Sequence, residues 1–454
     1  AKTAIQSEWQ KDMSTAKGLA SALTESIAMG DLHDVNNRLA VLDGITQQDV
    51  QYATRHLVPT QATVGMMVPV PPQAIPDALP YTETAHPVHV DAPGFKYDTF
   101  ETSAGTYMCA PVTGVHLMLS MNSDNNKAKN AVLTAAMQKG TETMNAQQVQ
   151  LAFNMNGAER KFTAIDNQIH VNFSTLHDDA LHVFFDSIKN PKFEKSDVQF
   201  AIQRQHMNAM GVEHDIGERA MNEFMNQIFV RKARGFSNMS HHNVVDMFHN
   251  LDGCRVTALA PSMDQLKLIQ HHLEGAMPPE IKPVFKHHPQ DVNIHLQGKR
   301  SCKVIMGCAT PYDKDHELYP AMHIAAGTLG YGFHGMLMKE VRISRGLTYG
   351  INARVKPNVF YIESSYRTSH LKPGIKATKQ VVARWKSNIT EKEVALQKER
   401  LMDMPQVYSD DPAMKVKLQH LKVFPKNVEN VTVDQVRRAI DGLNKLITVV
   451  VGTF

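Results

Sequence analysis

Hydrophobic and polar positions change period several times along the chain. Residues from about Ala1 to Met29, and again from about Glu391 to Val423, carry apolar residues at helical spacing, which predicts long amphipathic helices. Between them the period shortens. Val115–Met121 is an apolar, strand-like run, and Phe162–Phe173 alternates like the arm of a hairpin. Ala128–Lys139 and Ala146–Asn156 read as helices closed by Gly140 and Gly157, and Asp178–Lys189 as a helix ended by Asn190-Pro191. Strands with hairpin-like neighbours and helices of this length predict an α+β layered fold rather than a parallel, nucleotide-binding sheet. No glycine-rich phosphate loop follows a first strand.

Two proline-rich breaks divide the chain. Val68–Pro80 is too rich in proline for a helix or a central strand and predicts an extended linker, and Met277–Pro283 is a shorter one. An echo crosses these breaks. Ile45-Thr-Gln-Gln-Asp-Val50 runs through a helical segment into the apolar Ala62–Val68, and Val431-Thr-Val-Asp-Gln-Val436 runs through another into Leu446–Gly452. Thr46 and Thr432 are matching N-cap candidates. The first 70 residues therefore read as the tail of a domain of the same type as residues 284–454.

The stretch Gly327–Tyr349 reads as a glycine-rich turn, a helix stopped by a left-handed Gly346 and a strand from Leu347. That order brings Arg342, at the helix end, near Tyr349, on the strand. A guanidinium and a phenol aimed at one spot can donate to a peptide carbonyl that is gaining charge. The bland alternative has Arg342 capping helix carbonyls and Tyr349 packed in the core.

The string Arg342-x-x-Arg-Gly-Leu-x-Tyr349 resembles the C-terminal half of pitrilysin/insulinase-type zinc metallopeptidases, a family that includes mitochondrial processing peptidase. The resemblance implies tandem metallopeptidase-type domains, each a mostly antiparallel sheet with helices packed on one face. It divides the chain into a domain tail at 1–70, an interhalf linker at 71–92, an inactive repeat of the catalytic-type domain at 93–277, and a C-terminal domain at 284–454. It also makes Arg342 and Tyr349 the substrate-binding, oxyanion-stabilising pair. The chain departs from the family's Leu-Gly-Gly-Gly turn, with Tyr331 and Phe333-His334 in place of small residues.

The family's zinc motif, His-x-x-Glu-His on a helix, is missing. Neither Val212-Glu213-His214 nor His316-Glu317 completes it. Alignment on Lys139-Gly-Thr141 sets Ala131, Thr134 and Ala135 at the motif positions, and neither alanine nor threonine can replace a histidine ligand or a general base. The resemblance thus implies a non-catalytic half with no metal of its own. Zinc would lie in a partner half that carries the motif, in the same polypeptide or a separate chain, and a peptide substrate would add as an edge strand between the two. A bacterial periplasm or an organelle such as the mitochondrion fits the family. The competing expectation is a scaffold that has lost the chemistry, as in the core subunits of the cytochrome bc₁ complex.

Composition narrows this little. Lys+Arg 48 against Asp+Glu 45 gives no basic surface for nucleic acid, and no apolar run is long enough to span a membrane. Ala1, rather than Met, opening directly into a helical pattern is what processing or excision would leave. Cys109, Cys254, Cys302 and Cys308 lack zinc spacing and are too sparse for a disulfide framework, and the last two flank an apparent strand as buried thiols. Among the histidines, the group His170, His177 and His182 beside Asp178 and Asp179 is the remaining metal candidate, although its spacing is not that of helical ligands. An unrelated metal enzyme built on scattered histidines is the third reading. The methionines read as core filler.

Overall fold

Cap chemistry decides where the helices begin. Thr46 and Asp49 exchange side-chain and backbone hydrogen bonds in a full capping box, and Thr432 with Gln435 and Ser240 with Asn243 repeat the arrangement. A computed structural model describes residues 2–30, 34–55, 97–123, 125–165, 167–230, 239–273, 283–407, 411–423 and 425–454. It divides into two units, Ala1–Gly94 and Phe95–Phe454.

The described part of the first unit holds α1 (Lys2–Met13), α2 (Ala16–Met29), α3 (Asp34–Gly44) and α4 (Gln47–Thr54). The long helix expected over Ala1–Met29 is two. Thr15 takes an extended conformation and its hydroxyl accepts from the Gly18 amide, which starts a new helix there. The strand expected at Ala62–Val68 and the linker at 71–92 lie outside the described residues, as does most of Met277–Pro283.

The second unit begins with β1 (Asp98–Thr102), β2 (Gly105–Cys109) and β3 (Val115–Asn122), followed by α5 (Lys127–Met137) and α6 (Ala146–Met155). Next come β4 (Glu159–Ile165) and β5 (Gln168–Thr175), two strands where the sequence predicts one arm. They pair antiparallel about a turn in which Asn167 adopts φ +62°. Four helices, α7 (Asp179–Lys189), α8 (Lys195–His214), α9 (Ile216–Ile228) and α10 (His241–His249), lead to β6 (Asp252–Ala260) and α11 (Met263–His272). The sheet order is β1-β2-β6-β3-β5-β4, and only β2 and β6 run parallel.

The remainder repeats the plan. It comprises β7 (Val292–His295), β8 (Ser301–Ala309), α12 (Tyr319–Gly330), β9 (Thr348–Lys356), β10 (Val359–Arg367), α13 (Leu371–Ser387), α14 (Glu391–Val407), α15 (Pro412–Leu421), α16 (Val433–Asp441) and β11 (Ile447–Gly452). Its sheet order, β7-β11-β8-β10-β9 with β7 and β11 parallel, reproduces β2-β6-β3-β5-β4 strand for strand. The fold is α+β and duplicated, with mostly antiparallel sheets. The helix expected over Glu391–Val423 is also broken, and α15 restarts with Asp411 as N-cap and Pro412 in its first turn.

Each sheet buries one face under helices of its own half. In the second half, Val304, Met306, Phe360 and Ile362 pack with helix residues around Trp385, which lies flat against Phe360 and donates to Thr328 Oγ1 at 2.9 Å. The opposite faces are covered by exchange. Phe224, Met225 and Ile228 of α9 pack on Ile305, Tyr361 and Val449 of the second sheet. Val416 of α15 packs on Met108, Met118 and Leu259 of the first. Cys302 and Cys308 lie within β8, buried and unpaired, and all four cysteines are free. Among the described residues no helix is long and apolar enough to cross a membrane.

Candidate functional site

The corner between α12 and β9 carries the candidate pair. The glycine-rich turn predicted from Gly327 begins later than expected, because Gly327 and Gly330 belong to α12 and are buried. Both allow close approach. A Cβ on Gly327 would come within 2.5 Å of Gln397 Oε1, and one on Gly330 within 2.6 Å of the Ala353 amide nitrogen on β9. The chain turns only at Tyr331–Gly335.

The following segment is a wide, π-helical turn, Met338–Ile343, that sends Leu337, Met338 and Val341 into the core and leaves Arg342 half-buried. Gly346, at φ +59°, ends it. The Gly346 and Leu347 amides return to the Arg342 and Val341 carbonyls at 2.9 and 3.1 Å, leaving the Arg342 side chain out of that cap. Thr348 then anchors β9, its hydroxyl 2.6 Å from the Ser365 carbonyl, at a register shift between Ser364 and Tyr366. Such an irregularity re-aims the neighbouring side chain, and Tyr349 is 76% exposed. Tyr349 is therefore not a core residue.

Arg342 lies with its guanidinium carbon 5.2 Å over the Phe333 ring, and the Tyr349 hydroxyl accepts from Arg367 Nη2 at 3.3 Å. The corner thus brings both residues to one strand–helix junction without a direct hydrogen bond between them among the described contacts. Arg367 was not singled out from the sequence. It sits on the neighbouring strand, and only the β9–β10 register carries it to Tyr349.

The departures from small residues have packing partners. Tyr331 receives the Arg400 guanidinium of α14, 3.0 Å from the ring centroid, and Phe333 receives Arg342. Burial pulls the Arg400 pKa down to about 10, against an opposing contribution from Tyr331. The same charge, after burial itself, holds His323 of α12 down to about 4.

Ala131, Thr134 and Ala135 lie on α5, where Thr134 turns its hydroxyl back to the Ala131 carbonyl at 3.1 Å. These residues do not fit a zinc site, and no group of three histidine, cysteine, aspartate or glutamate residues that could hold a metal occurs among the described residues. The histidine cluster expected near Asp178 is dispersed. His170, on β5, is buried with Nδ1 2.6 Å from Ser120 Oγ, whereas His182, on α7, stands edge-on to His272. The difference is one of register: β5 turns His170 towards α15, and α7 turns His182 towards α11.

Residues 258–401 match the family model of the peptidase M16 inactive domain. Over that stretch the chain is similar to pitrilysin-type peptidases. The inactive domain carries β8 to β10, and so contains both Arg342 and Tyr349. Solved structures extend the likeness of fold. A peptidase M16 inactive domain from Pseudomonas fluorescens shares 19% identity at a TM-score of 0.68, over 79% of this chain and 98% of that one. A protease from Helicobacter pylori shares 13% identity at 0.61, over 79% and 100%. The periplasmic protease PqqL from Escherichia coli shares 10% identity at 0.58, over 92% of this chain and 52% of that one. No curated protein matches the chain.

Proposed function

We propose that this chain is the non-catalytic half of a zinc metalloendopeptidase, and that it holds the peptide while a zinc-bearing half hydrolyses it. The observation that carries the reading is the outward corner at Gly346, where an arginine and an exposed tyrosine flank one cap on the inactive domain. Arg342 and Tyr349 are donors only towards a substrate carbonyl, and each would hydrogen-bond that oxygen or the adjacent backbone as charge develops. β9 is the outermost strand of its sheet, which offers an extended peptide a main-chain partner beside that pair. The likeness to about half of the periplasmic protease supports a catalytic half lying elsewhere.

The first unit fits the same reading as the tail of a third repeat. In α16, Val436, four residues past its capping threonine, is fully buried. In α4 the equivalent Val50 is 54% exposed.

The test is turnover of the assembled enzyme. Arg342→Ala and Tyr349→Phe are each expected to lower kcat by about 10²–10³ with zinc content unchanged. Wild-type rates from both would reject the assignment. The scaffold reading has one observation of its own, Phe333 stacked on Arg342 where the family keeps a small residue. It predicts no turnover with any partner.

A further inference from the structure

The duplicated topology sets α6, Gly157 and β4 of the first half against the π-helical turn, Gly346 and β9 of the second. Both glycines adopt left-handed φ, +58° and +59°. Four residues before the glycine, the second half has Arg342 and the first half Phe153. Three residues after it, the second half has Tyr349 and the first half Arg160. The two halves thus place an arginine and an aromatic ring at the same two positions of the same corner, with the order reversed.

In the first half the two residues touch. The Arg160 guanidinium lies 4.9 Å over the Phe153 ring and 5.9 Å from that of Phe162. Its Nη2 donates to the Gln138 carbonyl, at the end of α5, at 2.6 Å. Its Nη1 is buried with no hydrogen-bond partner. No carboxylate pairs with it among the described residues, and burial without a compensating charge pulls its pKa down to about 10. A buried guanidinium with a spare donor and no anion is costly unless something else supplies the charge.

Beside it opens a cavity of about 570 Å³, lined also by Phe153, Gln150, Asn154 and Lys161. One acidic side chain, Glu159, lines it too. The volume is that of a pocket for a small group or a few residues of peptide. β4 is the outermost strand of its sheet, so its outer backbone groups have no strand partner among the described residues. A cation, side-chain amides and an outermost strand beside them match a carboxylate carried on an extended chain better than a free small anion.

We propose that this cavity binds a carboxylate of a peptide segment, with Arg160 as its anchor and β4 as the strand beside which the peptide lies. The inference goes beyond the Arg342–Tyr349 reading. Its test is binding to this chain alone, with no zinc-bearing partner and no turnover, so the two stand or fall separately.

The probe is a short, labelled, otherwise uncharged peptide in three forms: free C-terminus, C-terminal amide, and the amide with one internal glutamate. Each is titrated into the full chain and followed by fluorescence anisotropy. The free acid, the glutamate form or both should bind about 10- to 100-fold more tightly than the plain amide, and the form that does so names the source of the carboxylate. Arg160→Gln should erase the difference, and Arg160→Lys should keep part of it, since a lysine retains charge but loses the planar fork. Equal affinity for all three forms on the native chain would overturn the proposal, and that comparison needs no variant to fold. A preference that survives in a folded Arg160→Gln chain would overturn it equally.

Discussion

Single residues at the Gly346 corner were legible in the sequence because their causes are local. A glycine past a helix end, a preceding arginine and a tyrosine three residues on specify the cap and what flanks it without long-range information. The same reading misplaced Gly327 and Gly330 as a turn, since their reason is the approach of α14 and β9, which no local pattern shows. The two glycines should therefore respond differently to alanine. Gly330→Ala sets a Cβ against rigid strand backbone and should cost about 1–3 kcal/mol. Gly327→Ala meets the end of the Gln397 side chain, which can swing aside, and should cost less. Thermal unfolding of the two variants checks the order, and equal losses would count against the close-approach account. Arg160 escaped the sequence because its surroundings come from α5, α6 and β4 together, and its relation to Tyr349 appears only when the two sheets are superposed in topology.

At the scale of elements, β3, β8, β9 and β11 and the helices capped by Thr46 and Thr432 were readable, since period and N-cap residues are written in short windows, whereas β1, β2, β6, β7 and β10 were not read. The breaks in the two long helices were not. The apolar period continues through Ser14-Thr15 and again around Asp411-Pro412, while the cap hydrogen bonds at Thr15 and Asp411 favour a restart. Nor could the pattern tell that α9 and α15 each serve the other half's sheet, because an amphipathic face does not name its partner. This exchange makes a prediction. Phe224→Ala, on a helix belonging by sequence to the first half, removes a fully buried ring from the second sheet and should cost about 3–5 kcal/mol. Hydrogen exchange should show the loss of protection first in β8 and β11. Loss confined to β3 and β5 would contradict the exchanged packing.

For the whole molecule, the join between the halves is polar as well as apolar. Ser120 Oγ lies 2.6 Å from His170 Nδ1 and 2.5 Å from His420 Nε2, and His420 Nδ1 is 3.1 Å from Thr257 Oγ1. One hydroxyl proton serves only one of the two imidazoles, so the other ring must donate to the Ser120 oxygen. Burial, then the nearby Arg255 charge, holds His170 down to about 4, and the same two causes with His170 hold His420 down to about 2. Both rings are thus neutral in the folded chain, while in the unfolded chain they titrate near 6.5. Between those values the unfolded state binds more protons, so stability is full above about pH 6.5 and falls as the pH drops towards 4. Denaturant melts across that range should show the decline, and His170→Asn with His420→Asn should flatten it. A flat native profile would contradict neutral, buried imidazoles at this join.

The central claim is that Arg342 and Tyr349 stabilise the reacting peptide rather than merely bind it. The most direct measurement is single-turnover hydrolysis by the native assembly with Tyr349→Phe, alongside its zinc content and peptide affinity. The rate should fall by about 10²–10³ with affinity and zinc little changed. A wild-type rate, or a loss found wholly in affinity, would contradict it.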